Sequence, residues 1–260
     1  MIEEPIHRCG DCFQCKNGQS NVCQNFSITG MHTDGAYAEF TTVDETFVHG
    51  VPESTPLREA AVAEPTSIAA RAVLEQSSLT PGDRVLVEGP GPIGVLVATI
   101  ADSIGANVFV SGLDRDAKYR LPLVDDRGIE TVNLAVDAAE DRMTSFTDGR
   151  GFDVVFDTTG HHTGVEDAVE HVRKGGEVVV IGLPGDGSEL RMTPVVRGEI
   201  RIETSYGSQW RDFEQAIRLI DNGTIEPAAM LDTSFYADDP TAAFEAFLDS
   251  ETCKPVFSFD

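Results

Sequence analysis

The stretch Arg84-Val85-Leu86-Val87-Glu88-Gly89-Pro90-Gly91-Pro92-Ile93-Gly94-Val95-Leu96-Val97-Ala98-Thr99-Ile100-Ala101 decides the fold. Its first five residues read as a strand, its last seven as a helix, and a glycine-rich turn joins them. In such a turn the first glycine, Gly89, makes the tight bend. Gly91 lets the backbone approach a pyrophosphate, and Gly94 lets the helix lie close on the sheet. Pro92 and Ile93 open the helix, whose N-terminus offers free N–H groups and a partial positive charge. The glycine pattern alone is weak evidence. The strand before it and the helix after it supply the context that a dinucleotide site needs.

Outward from this turn, strand and helix alternate from residue 84 to about 207. That alternation predicts an α/β fold with a doubly wound parallel sheet of the Rossmann type. Strands are expected at Asn107–Ser111, Gly151–Asp157, Glu177–Ile181 and Arg201–Ser205, with a helix over about Gly164–Val172. Ligands in such sheets bind at the carboxyl ends of the strands. Those ends carry Gly89, Gly91, Pro92, Ile93 and Gly94, then Ser111 and Gly112, Thr158, Thr159 and Gly160, Gly182 and Leu183, and Ser205, Tyr206 and Gly207. All are small or sit beside glycine, which suits a backbone-lined groove. NAD binders carry an acid at the end of the second strand for the ribose hydroxyls. Here that place is Ser111-Gly112, with Asp114 and Arg115 just after, so the reading is NAD(P) with a lean to NADP.

The first 25 residues hold a second signal, Cys9, Cys12, Cys15 and Cys23, four of the chain's five cysteines. With no export signal, clustered cysteine favours metal over disulfides. Four thiolates complete a tetrahedral Zn²⁺ and leave no open position, so the site would be structural. An iron–sulfur cluster shares the spacing of the first three cysteines, but the fourth comes after seven residues and no proline follows it. His7 is incidental to this set, and Cys253 reads as a buried or idle thiol.

The remaining chain gives shorter elements. Gly35–Val43 alternates like a half-buried strand, and Thr46–Val51 reads as another. A helical stretch starts at Leu57–Val62 and runs into Glu64-Pro65. Helices are expected at Trp210–Asp221 and from Pro240, and a closing strand at Lys254–Phe259.

Of the 260 residues, 44 are acidic and 19 basic, a net charge of −25. The acids are spread along the whole chain. That spread suits a surface kept soluble in a high-salt cytoplasm, where self-repulsion is screened. It argues against nucleic acid and anionic membranes as partners. No apolar run approaches a membrane span, so the expected location is cytoplasmic.

These features, in this order, resemble the zinc-containing medium-chain alcohol and polyol dehydrogenases, in the sorbitol and threonine dehydrogenase branch. The four-cysteine lobe, Asp34–Phe40, Glu64-Pro65, Gly89–Gly94 and Arg173–Gly182 carry the resemblance. It implies a partial GroES-like, β-rich catalytic domain over residues 1–66 and a Rossmann NAD(P)-binding domain over 67–207. Residues 208–260 would return to the catalytic domain. It implies hydride transfer between an alcohol or polyol and NAD(P), in a homodimer or homotetramer, with Glu64 as a catalytic-zinc ligand or holder of its water. The family's further Cys and Gly-His-Glu ligands are not in this sequence, so the chain is read as lacking the amino-terminal part of the catalytic domain. A structural zinc is therefore expected, while the catalytic zinc is doubtful. The alternative function is a truncated, catalytically dead homologue that binds dinucleotide without turnover. A zinc-ribbon DNA binder fits neither the charge nor the Rossmann pattern, and a zinc-free reductase does not fit the cysteine lobe.

Overall fold

The structure, a computed structural model, describes residues 1–136, 138–231, 234–236 and 239–259. The chain divides into two compact units. The first comprises Met1–Ile68, Tyr206–Leu248 and Lys254–Asp260, the second Ala69–Ser205 and Asp249–Cys253.

The first unit begins with short elements: β1 (Ile2–Glu3), β2 (Ile6–His7), α1 (Phe13–Lys16), β3 (Ser27–Ile28), β4 (Val48–His49), α2 (Leu57–Ala60) and α3 (Ala63–Ala70). β1 pairs antiparallel with β4, and β2 with β3. Two-residue strands bury little apolar surface, so other contacts must fix them. The fully buried His49 does much of this. Its Nε2 lies 2.9 Å from Glu4 Oε1 and its Nδ1 3.1 Å from Glu214 Oε1. Its ring stacks on Phe213 at 4.8 Å and lies 3.9 Å from the Trp210 ring. Glu4, itself buried, also accepts from Arg8.

The second unit holds β5 (Arg84–Glu88), α4 (Pro92–Ile104), β6 (Asn107–Gly112), α5 (Arg120–Asp125), β7 (Glu130–Asn133), α6 (Ala139–Phe146), β8 (Phe152–Asp157), α7 (Gly164–His171), β9 (Val172–Val180), α8 (Met192–Gly198) and β10 (Arg201–Thr204). The six strands form one parallel sheet in the order β10-β9-β8-β5-β6-β7. Val85, Leu86 and Val87 are all fully buried, as a parallel strand covered on both faces requires. Leu86, Phe109, Phe152, Val155 and Val178 form the centre of the core. The chain then re-enters the first unit with α9 (Trp210–Asp221), β11 (Ser234–Tyr236), α10 (Pro240–Leu248) and β12 (Val256–Ser258), the last pairing parallel with β11.

The alternating segment Gly35–Val43 is not a strand. Alternation makes a strand only where a neighbour completes the hydrogen-bond ladder, and no described residue pairs with it. Tyr37 and Phe40 are accordingly 75% and 89% exposed. Thr46–Val51 yields only β4. Its first part is a tight turn over Glu45–Phe47, capped by the Asp44 carboxylate, which accepts from Thr46 N at 2.9 Å. Among the described residues no helix is long and apolar enough to cross a membrane.

Candidate functional site

The glycine turn is shaped by what side chains would strike. A Cβ on Gly94 would lie 1.9 Å from the Gly89 carbonyl oxygen, so only glycine lets α4 approach β5 this closely. Gly89 takes φ +94°, a conformation that favours glycine, and lies against Thr158 and Thr159. Gly91 caps α4, and a Cβ there would meet nothing within 4 Å. Open space therefore lies in front of first-turn amides that have no carbonyl one turn back. That is the shape and charge an anionic pyrophosphate fits.

The other strand ends adjoin this turn inside the second unit. Gly89 N donates to the Ser111 carbonyl at 2.9 Å. Gly112 faces Pro90 and Leu121 at about 3.0 Å from its Cβ position. On the other side a Cβ on Gly182 would sit 2.2 Å from Gly160 N, and Gly160 itself faces the Leu183 backbone. Ser205 N donates to Val180 O. The Ser205 hydroxyl is buried with no hydrogen-bond partner among the described residues, an orphan suited to a ligand group. Thus Gly89, Gly91, Pro92, Ile93, Gly94, Ser111, Gly112, Thr159, Gly160, Gly182, Leu183 and Ser205 line one edge of one sheet. Arg115 is exposed beyond β6, where Asp114 accepts from Asn133 Nδ2 at 2.7 Å.

Sequence reasoning gave no anchoring role to the side chains that hold this edge in place. Thr158 Oγ1 donates to the carbonyls of Glu88 and Gly89 at 2.8 and 2.9 Å. Asp157 is buried and accepts from Thr159 N and Oγ1, and burial pushes its carboxyl above the usual range. The Glu88 carboxylate is buried against His171 Nδ1 at 3.0 Å. A charged residue ending an otherwise apolar strand was the available signal.

In the first unit the Sγ atoms of Cys9, Cys12, Cys15 and Cys23 all lie within 4.8 Å of one another. Cys23 is 3.5 Å from Cys9 and 3.7 Å from Cys12, near the edge of about 3.8 Å that a tetrahedron with Zn–S of about 2.3 Å requires. The backbone N–H groups of Cys9 and Asn25 already point at the Cys23 sulfur. Backbone donation from Asp11 and Cys12 holds the Cys9 thiol down to about 6, while burial pushes Cys15 up to about 12. The donor set fits Zn²⁺, which would bind all four as thiolates. Asn21 Nδ2 donates to Tyr206 O, and Gln209 Nε2 to Asn21 Oδ1, fastening the lobe to the start of α9.

Glu64 lies in the first turn of α3, partly buried, and burial raises its carboxyl above the usual range although Lys254 opposes the shift. With Glu3, Thr29 and Tyr37 it lines an open cleft of about 610 Å³. Among the described residues no group of three metal-ligating side chains includes Glu64. A catalytic zinc needs about three protein ligands, so the residues present do not fit a second zinc.

Residues 92–222 match the family model for zinc-binding dehydrogenases, and residues 1–53 match the alcohol dehydrogenase GroES-like domain. The chain belongs to the zinc-binding, medium-chain dehydrogenase family. It is 28% identical over 255 residues to a sorbitol dehydrogenase of Halalkalibacterium halodurans, covering 96% of this chain and 73% of that protein. It is 29% identical over 226 residues to a 2-dehydro-3-deoxy-L-galactonate 5-dehydrogenase of Pseudoalteromonas atlantica, covering 87% of this chain and 65% of that one. The crystal structure of L-idonate 5-dehydrogenase from Escherichia coli superposes with a TM-score of 0.87 at 26% identity, covering 99% of this chain and 74% of the other.

Proposed function

We propose that this chain serves an NAD(P)-dependent dehydrogenase that moves hydride between a polyhydroxylated alcohol and the nicotinamide. The observation that carries the reading is the turn at Gly89–Gly94, closed by backbone contact at Gly94 and open at Gly91. The dinucleotide, when bound, supplies the hydride acceptor. The protein's part is to hold it. The amides at the start of α4 would face the pyrophosphate, Gly160 and Gly182 would let the backbone approach, and the Ser205 hydroxyl would gain a partner. Zinc on Cys9, Cys12, Cys15 and Cys23 would fix the lobe and leave no position for substrate.

The relatives' names support a polyol or sugar-acid substrate class. The absence of an acid at Ser111-Gly112, with Arg115 after it, supports NADP over NAD. Asp114 opposes that lean, and tighter binding of NADH than NADPH would sink it. The residues of 1–66 and 208–260 are assigned to the catalytic side and 67–207 to the cofactor side, in a homodimer or homotetramer. The test is polyol-dependent reduction of NAD⁺ and NADP⁺ by the zinc-loaded protein, followed by reduced-nicotinamide absorbance. Reduction with at least one sugar alcohol is expected. Binding of cofactor with no reduction across alcohols, polyols and sugar acids would overturn the assigned reaction.

A further inference from the structure

We propose that Glu88 and His171 form a proton-sensing positioning pair behind the phosphate turn, one that weakens dinucleotide binding as the pair loses its last proton. The proposal rests on the dinucleotide reading of Gly89–Gly94.

Glu88 is the last residue of β5 and the immediate predecessor of Gly89. Its main chain is part of the turn's support, because its carbonyl accepts from Thr158 N at 3.1 Å and from Thr158 Oγ1 at 2.8 Å. Its side chain is buried, 5% exposed, in a strand whose other central residues are Val85, Leu86 and Val87. Glu88 Oε1 lies 3.0 Å from His171 Nδ1, at the end of α7. His171 Nε2 lies 3.5 Å from Glu140 Oε1, at the start of α6. Glu88 Oε2 is buried without a partner among the described residues. Nothing in the packing of a parallel strand asks for a carboxylate here; an apolar residue or glycine would close the turn.

Besides each other, the charged groups that act most on the pair are acids: Asp157 on β8, Asp167 on α7 and Glu140 on α6, while Glu166 and Glu170 on α7 are paired with Arg191. The first three favour keeping a proton on the pair. Burial pushes the Glu88 carboxyl up to about 7. The Glu88 carboxylate raises His171 despite the opposing effect of that histidine's own burial. Both shifts run in the same direction. Near and below neutrality the pair holds at least one proton and carries no net negative charge. As the pH rises through the raised values it sheds that proton and becomes a net anion, one residue behind a turn built for an anion. Repulsion then opposes the pyrophosphate. A single charge at a range of two or three residues, in an effective dielectric near 20 and partly screened, is worth roughly three- to tenfold in affinity.

The experiment is NADH titration of the full chain by nicotinamide fluorescence, from about pH 6 to about pH 9. NADH is the probe because its pyrophosphate keeps a constant charge over this range. For the unmodified protein Kd should rise roughly three- to tenfold across the range. Glu88→Gln keeps the shape and a hydrogen-bonding group, removes the titrating carboxyl, and should flatten the profile. His171→Gln is the second variant; it leaves the buried Glu88 carboxyl to titrate alone, so the rise in Kd should persist with its pH midpoint moved, and an unmoved pH midpoint would overturn the pairing. Unfolding midpoints are read alongside. A purely structural pair would lower the unfolding midpoint in both variants and leave the pH slope of Kd intact in Glu88→Gln. Such an intact slope, or a flat profile in the unmodified protein, would overturn the proposal. Failure of the unmodified protein to bind NADH or NADPH at any pH would instead overturn the dinucleotide reading beneath it.

Discussion

The two units solve the same problem by different means. The second is held by area. Six paired strands bury Leu86, Phe109, Phe152 and Val155 in a continuous core, and each such side chain contributes about 1.5–3 kcal/mol when fully buried. The first is held by points. Its strands are two or three residues long, and its anchors are four thiols, one buried imidazole between two carboxylates, and side-chain bonds such as Asn21 to Tyr206. An area-held unit tolerates the loss of any one contact, because neighbours share the load. A point-held unit fails where one anchor is removed. The phosphate turn belongs to the tolerant unit, and its own sensitivity comes from backbone clearance rather than stability.

The sharpest break in this contrast is expected at the cysteine lobe. Elemental analysis should find one zinc per chain, and Cys23→Ser should abolish it and unfold the lobe, a loss on the order of several kcal/mol. Two zincs per chain would mean that the residues near Glu64 hold one after all. Next in size is His49→Ala. It leaves the buried Glu4 with Arg8 as its remaining partner, and losing a buried hydrogen-bond partner costs about 1–3 kcal/mol. The same change removes the ring lying 3.9 Å from Trp210, the chain's single tryptophan, so its fluorescence should shift in parallel. Denaturant unfolding followed at that tryptophan reads both. A cost below about 1 kcal/mol would make His49 a minor anchor. Smallest is salt. With a net charge of −25, screening should raise the unfolding midpoint by a few degrees in molar KCl. A midpoint that falls with KCl would contradict the high-salt reading of the composition.

The same division explains what could be read from the sequence. β5, α4, β8 and α9 were legible because apolar periodicity and glycine placement are local properties of the chain. The cysteine lobe was legible because ligand spacing is local too. Gly35–Val43 was misread because alternation reports a face, whereas a strand also requires a partner. His49 and Glu88 were missed as anchors for a related reason. Their partners, Glu214 and His171, are 165 and 83 residues away in sequence, and only the folded chain brings them within hydrogen-bonding distance.

The central claim, that the turn at Gly89–Gly94 holds a dinucleotide through its backbone, is tested most directly by titrating NADH and NADPH into the unmodified chain and into Gly94→Val. The valine places its Cβ where only 1.9 Å separates it from the Gly89 carbonyl oxygen, so α4 must move off the turn. Saturable binding by the unmodified chain, weakened at least tenfold or so in a variant that stays folded, is the expected result. Equal affinity in the two proteins, or no binding of either cofactor by the unmodified chain, would contradict it.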